Sequence, residues 1–275
     1  ALAGAERVFK ILDTPGEDFS AKQEIDAEKI KGDIDFKHVA FGYYPDKPVL
    51  KDFHVDVYSG HKIALVGATG SGKTTIVNLL LRFYDIDSGA IEIDNININD
   101  ISKKDLRDAI AIVLQDPVLF GDTIENNIRY GRLDATDEEI DGALKFANCD
   151  SFVHHLPEGK KTILTEGAAN ISQGQRQLLT IARAVIANPK ILILDEATSS
   201  VDTRTEKKIQ DAMVKLMENR TSIIIAHRLS TIQDADLIVV LDQGRVVEMG
   251  NHEELIALGG KYNTLYQTQF KGLET

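Results

Sequence analysis

The residues of this chain best suited to chemistry are Gly67-Ala68-Thr69-Gly70-Ser71-Gly72-Lys73-Thr74. They follow G-x-x-x-x-G-K-[ST], a pattern whose glycines let successive backbone N–H groups turn inward on an anion. Lys73 is expected to reach the β- and γ-phosphates of a nucleotide, and the Thr74 hydroxyl to ligate Mg2+. Thr69, Ser71 and Thr75 join Gly67, Gly70 and Gly72 in the expected phosphate-binding set. A chance match in a chain of this length has odds on the order of 1%. The setting lowers them further. Lys62-Ile63-Ala64-Leu65-Val66 reads as a buried strand, and Thr75 to Phe83 as a buried helix. The N-terminus of that helix adds free N–H groups and the positive end of its dipole.

Acidic and polar residues at other strand ends extend the site. Lys190-Ile191-Leu192-Ile193-Leu194-Asp195-Glu196 is a central strand delivering carboxylates to its carboxyl end, where open α/β sheets bind ligands. Asp195 suits Mg2+, and Glu196 suits a general base for water. Ser222-Ile223-Ile224-Ile225-Ala226-His227 repeats the pattern with a histidine, and Ala111-Ile112-Val113-Leu114 ends at Gln115, which can reach into a cleft. Tyr43 and Tyr44 lie between two alternating segments, and the ring of either could stack on adenine.

The elements that must position these groups are legible in outline. Asp33 to Phe41 and Phe53 to Tyr58 alternate polar and apolar, which predicts antiparallel strands beside a parallel sheet. Ala90 to Asn95 is another strand closing on a turn, with Asn95 tolerating the left-handed conformation. Ser102 to Ile110 reads as a helix. Thr136-Asp137-Glu138-Glu139 is a capping box opening a helix to about Asn148, followed by helix from Asp150 towards Leu156. Together with the apolar helix Leu178 to Ala187 they predict a helical subdomain inserted at about residues 116–187. His154 and His155 are adjacent rather than one helical turn apart, which points to surface and not to metal. Leu237 to Leu241, Asp242-Gln243-Gly244 and Arg245 to Met249 form a hairpin, and polar helices follow from His252. At the other end, Ala1 to Leu12 is helical and Gly16 to Lys31 reads as a linker.

The chain has 275 residues, 43% hydrophobic and 27% charged, the proportions of a soluble protein with ample core. A net charge of −12 excludes a non-specific nucleic-acid binder, which needs a basic face. Cys149 stands alone, so no internal disulfide forms, as suits a reducing compartment. No run approaches the roughly 18 apolar residues of a membrane-spanning helix. The sequence does not begin with Met and reads as a piece of a longer chain.

One further segment points to a family. Asn170-Ile171-Ser172-Gln173-Gly174-Gln175-Arg176-Gln177 precedes the helix from Leu178 and resembles the signature motif of ABC ATPases. The other motifs fall in that family's order, from about Gly32 to Phe270. The resemblance implies an α/β fold of the P-loop NTPase type, with a mostly parallel core sheet, an antiparallel β subdomain and an inserted α-helical subdomain. It implies that Tyr43, preferred to Tyr44, stacks on adenine, and that Gln115 touches Mg2+ or the attacking water and senses a membrane domain. Asp195 would be the metal ligand, Glu196 the catalytic base, His227 the contact to the γ-phosphate, and Ser199-Ser200-Val201-Asp202 the D-loop. Ser172, Gly174 and Gln175 would act in trans, on ATP bound by a second such domain paired head to tail.

Leu114 to Phe120 and Thr123 to Ile128 are similar to exporter-type domains, which follow six transmembrane helices on the same chain. On that resemblance residues 1–31 are the tail of the last membrane helix and a linker, 32–270 the ATPase domain and 271–275 a C-terminal tail. The expected function is ATP binding and hydrolysis at the cytoplasmic face of a bacterial inner membrane, driving export. A soluble mechanical ABC ATPase is the alternative reading, and a barely hydrolysing regulatory module a third. Gln173 stands where the signature norm is Gly, and Ala168 where the upstream loop often has Gly. Both affect the site donated to a partner, which favours a heterodimer over a homodimer.

Overall fold

Successive side chains of the central strands point to opposite sides of the sheet, and the apolar runs of this chain feed two separate cores. In the computed structural model, which describes residues 2–14, 16–17, 29–195, 201–226 and 229–270, Ile63 and Leu65 enter one core while Ala64 and Val66 enter the other. The same split occurs at Ile191 and Ile193 against Leu192 and Leu194, and at Ile223 and Ile225 against Ile224.

The elements in order are α1 (Leu2–Leu12), β1 (Ile34–Phe41), β2 (Leu50–Val57), β3 (Lys62–Val66), α2 (Lys73–Leu80), β4 (Ser88–Ile93) and β5 (Ile96–Asn97). Next come α3 (Lys103–Asp108), β6 (Ile110–Val113), α4 (Ile124–Arg129), α5 (Asp137–Phe146), α6 (Asp150–His154) and α7 (Gln173–Ala187). The chain continues through β7 (Ile191–Asp195), α8 (Thr203–Met217), β8 (Thr221–Ile225), α9 (Leu229–Gln233), β9 (Leu237–Asp242), β10 (Arg245–Gly250), α10 (His252–Leu258) and α11 (Lys261–Leu265).

The main sheet has the order β10-β9-β3-β8-β7-β6, and β2-β1-β4-β5 forms a second, antiparallel sheet. In the main sheet β9, β3, β8, β7 and β6 run parallel, and only β10 is antiparallel. One core joins α2, α3 and the antiparallel sheet to one face of the main sheet, and the other joins α4 to α8 to the opposite face. The α/β fold with a separate antiparallel sheet and a helical insertion is as expected from the sequence.

Several boundaries differ from expectation, each for a local reason. The helix expected to reach Ile110 stops at Asp108, because the Ala109 carbonyl accepts from the N–H groups of Lys190 and Ile191, both at 3.1 Å, and draws Ile110 into the sheet. The strand expected at Ala111 to Leu114 is shifted back by one residue, registered as Ile110 opposite Ile191 through Val113 opposite Leu194. Helix α7 begins at Gln173, five residues ahead of the apolar run, because Ser172 and Gln175 close a capping box over polar residues. The β4–β5 turn uses two left-handed residues, Asp94 (φ 50°) and Asn95 (φ 65°). Asp94 also accepts N–H bonds from Lys31, Gly32 and Asp33 at 2.7–3.1 Å, which fastens the start of β1 to the antiparallel sheet.

Most of the expected linker, including residues 18–28, lies outside the described residues. The described Glu17 is anchored: it accepts from Lys103 Nζ at 2.8 Å and from Arg107 Nη2 at 3.0 Å. Those two hydrogen bonds, Arg107 first, hold its carboxyl at about 2, below the ordinary 4.5. A depressed carboxyl pKa means that the folded state binds fewer protons than the unfolded one between those values. The anchor is therefore fully present above pH 4.5 and is lost as pH falls through about 2. Exchange of the α3 amides should report an intact anchor at pH 4, whereas Glu17→Gln should loosen it at neutral pH.

Candidate functional site

Parallel strands deliver their carboxyl ends to one edge of a sheet, and those of β3, β6, β7 and β8 lie there. The glycine loop follows β3, Gln115 is the second residue after β6, Asp195 ends β7, and Ala226 after β8 leads to His227. Glu196 and His227 themselves lie outside the described residues, as do Ser199 and Ser200.

The glycine loop is built by close approach. A Cβ on Gly67 would stand 2.3 Å from the Leu241 carbonyl oxygen and 2.8 Å from Ser71 Oγ, so β9 presses directly on the loop backbone. Gly72 has φ 111° and forms the N-cap of α2 without any side-chain cap, leaving the first-turn N–H groups of that helix available to a ligand. Ser71 Oγ is buried and has no hydrogen-bond partner, an orphan that an anion in the loop would satisfy.

Lys73 Nζ donates to the carbonyls of Gly67 at 2.7 Å and Ala68 at 3.0 Å, which folds the side chain back over the loop. No carboxylate pairs with it among the described residues. Burial lowers its pKa, while the charge of Asp195 pulls in the opposite direction. Thr74 is exposed at the mouth of the loop, whereas Thr75 is buried behind it.

Tyr43 is held against this helix and Tyr44 is not. The Tyr43 hydroxyl lies 3.3 Å from Thr75 Oγ1 and accepts from Asn78 Nδ2 at 3.2 Å. Its ring packs edge-on to Phe41 and Tyr84, both at 5.0 Å. Tyr43 keeps 40% exposure, enough to offer a face to a flat ligand, whereas Tyr44 stands out at 68%. Asn78 carried no motif; its signal is a polar residue in the otherwise apolar run from Thr75 to Phe83.

The Ser172 segment stands on a different part of the surface. Ser172 Oγ accepts from the Gln175 N–H at 3.2 Å, and Gln175 Oε1 accepts from the Ser172 N–H at 2.9 Å. As a cap the Ser172 hydroxyl is only an acceptor, so its proton is still free to donate outward. A Cβ on Gly174 would meet Thr205 Cγ2 at 2.4 Å and Val201 Cγ1 at 2.9 Å, which makes this glycine the contact point between α7 and the start of α8. Asp202 caps α8, accepting from the Thr205 N–H at 3.0 Å. β-Branched Thr205 is stiff, so Gly174→Ala should cost about 1–3 kcal/mol, read as a lowered melting temperature. Ala168, where glycine was expected, is buried with φ 52°, so the chain does adopt there a conformation that favours glycine.

Two polar residues of α7, Gln177 and Arg183, reach carbonyls on either side of Gln115. No motif marked them. Beside them runs a groove of about 850 Å³ lined by Arg107, Leu114, Val118, Tyr130, Leu133 and Arg183 among others. Several of its apolar side chains are exposed, Leu133 at 79% and Tyr130 at 62%.

Residues 50–199 match the ABC transporter family, a span that includes the glycine loop, Gln115, the Ser172 segment and Asp195. The chain belongs to that family. It is an ABC transporter ATP-binding domain, 52% identical over 271 residues to "Uncharacterized ABC transporter ATP-binding protein YfiC" of Bacillus subtilis (strain 168), covering 98% of this chain and 45% of that protein. It is also 52% identical over 261 residues to a fatty acid ABC transporter ATP-binding/permease protein of Mycobacterium bovis, covering 95% of this chain and 41% of the relative. Among solved structures, a bacterial Atm1-family ABC exporter with ATP bound is 41% identical with a TM-score of 0.88, covering 98% of this chain and 47% of that one. The ATP-binding domain thus spans less than half the length of these relatives. Among its described residues no helix is long and apolar enough to cross a membrane.

Proposed function

We propose that this ATP-binding domain is the Mg2+-dependent ATPase motor of an exporter, working through ATP-driven head-to-tail pairing with a second such domain. The observation that carries the reading is the meeting of the glycine loop, Gln115 and Asp195 at one sheet edge, with Ser71 Oγ buried and unpartnered inside that loop. In this reading Tyr43 stacks on adenine, while the N–H groups of Gly67, Gly70 and Gly72 and the hydroxyls of Thr69, Ser71 and Thr75 hold the phosphates. Lys73 balances charge on the β- and γ-phosphates. Thr74, Asp195 and Gln115 offer only oxygen donors, the set that suits a hard cation such as Mg2+. Mg2+ held there would neutralise charge on the phosphate oxygens. Glu196 takes the proton of the attacking water, and His227 donates to the γ-phosphate.

Ser172, Gly174 and Gln175 then complete the partner's site, their helix N-terminus facing the partner's γ-phosphate. Shared ATP joins the two domains, and its hydrolysis releases them. The departures at Gln173 and Ala168 support a heterodimer in which the two composite sites differ. Residues 1–31 are assigned to the tail of a membrane helix and its linker, 32–270 to the ATPase domain with a helical subdomain at about 116–187, and 271–275 to a tail. The groove beside Gln115 receives a loop of the transmembrane domain at the cytoplasmic face of the membrane. Its exposed apolar residues Leu133, Tyr130 and Val118 suit an aromatic or aliphatic loop.

Sedimentation velocity of Glu196→Gln with and without Mg-ATP tests the pairing. Conversion of monomer to dimer by ATP supports head-to-tail pairing and favours a homodimer. ATP binding with a persistent monomer means that either a different partner chain or the membrane domain is needed for pairing. Absence of ATP binding refutes the reading.

A further inference from the structure

The segment that carries Gln115 has almost nothing of its own to hold it in place. Leu114, Gln115 and Asp116 are exposed, Val118 is 57% exposed, and no strand or helix includes them. Packing anchors the segment only at its ends, through Val113 and Leu119, and between them polar contacts from α7 hold it.

Gln177 is a buried amide on an apolar helix, 2% exposed, and its Nε2 donates to the Leu114 carbonyl at 3.3 Å. Arg183 Nη1 donates to the Val118 carbonyl at 2.9 Å. The two carbonyls bracket Gln115 on its two sides. Arg183 is itself over-determined: Nε donates to the Asn127 carbonyl at 2.8 Å and Nη2 to Asn127 Oδ1 at 3.2 Å. Buried Asn127 binds both backbone groups of Phe120, accepting from its N–H at 2.8 Å and donating to its carbonyl at 3.0 Å. The guanidinium lies 5.7 Å and 5.6 Å from the ring centroids of Phe120 and Tyr130, which stand 4.8 Å apart. A Cβ on Gly131 would meet the Arg183 carbonyl oxygen at 2.3 Å, so the turn after Tyr130 rests directly on α7.

The opposite end of α7 is Ser172, with Gly174 pressed on Thr205. A 15-residue helix packed along its length moves as a unit. We infer that Gln177 and Arg183 are positioning residues that fasten the Gln115 segment to α7 and so set where Gln115 stands. This inference rests on the ATPase reading for its kinetic arm alone.

The test uses two variants of this chain. Gln177→Met keeps length and buried volume but removes the donor; Arg183→Lys keeps the charge but loses the fork that spans three acceptors. Backbone NMR order parameters at Gln115, Asp116 and Val118 read the fastening without turnover, and steady-state hydrolysis reads its consequence. Loss of a buried hydrogen bond predicts a fall from about 0.85 to below about 0.6 in this segment alone, and about a tenfold fall in kcat with ATP KM within about twofold. Unchanged order parameters in both variants overturn the inference, as does added motion with unchanged kcat. Added motion spread equally through β3 and α7 marks a general loss of packing and also overturns it. A wild type that binds ATP without turning it over sinks the ATPase reading, while the order parameters still decide the fastening.

Discussion

Lys73→Ala should weaken ATP binding by about a hundredfold or more while leaving the fold within about 1 kcal/mol of wild type. The Lys73 ammonium is half-buried and bonded to two carbonyls, Gly67 and Ala68, with burial lowering its pKa. A desolvated cation facing an anion-binding loop contributes little to the ligand-free fold and much to a polyphosphate complex. Its removal takes away charge-assisted hydrogen bonds and leaves Ser71 and the first turn of α2 to hold the phosphates. Titration with a fluorescent ATP analogue reads the first effect and thermal unfolding without nucleotide the second. A variant that bound ATP within threefold of wild type would remove Lys73 from the site.

The second large effect belongs to Glu196. Glu196→Gln should lower kcat by about 10²–10⁴-fold, the usual contribution of a positioned general base, with ATP affinity unchanged. Glu196 follows Asp195, and Asp195 is the last residue of a strand whose register is set on both sides by Val113 opposite Leu194 and Ile225 opposite Asp195. Because the amide is isosteric but cannot take a proton, binding and turnover separate. Single-turnover measurements with excess domain isolate the chemical step. Turnover at the wild-type rate would take the base away from Glu196 and leave Gln115 and His227 as the groups to examine.

Both predictions lean on residues legible before any fold was known, and the reason is chemical. A loop that wraps phosphate needs glycines at fixed offsets and a lysine beside them, so Gly67 to Thr74 announces itself. Strands buried on both faces have to be apolar throughout, so a carboxylate at the end of Ile191 to Leu194 stands out against its run. The capping box at Thr136 is a local hydrogen-bond pattern written in four residues. Such signals lie within one turn or one strand, where spacing alone fixes geometry.

What the sequence determined by itself is therefore the α/β class, the glycine loop between β3 and α2, and the carboxylate at the end of β7. What only the tertiary structure decided is which distant groups touch. Tyr43 is distinguished from Tyr44 by Thr75 and Asn78, more than thirty residues away in the chain. Gly174 is confined because Thr205 of α8 and Val201 just ahead of that helix press on it, and Gln177 and Arg183 matter because Leu114 and Val118 are delivered to them by β6. Those contacts depend on strand order and helix packing. A hydrogen bond to a backbone carbonyl leaves no mark on the residue that supplies the carbonyl, so no local pattern could have shown them.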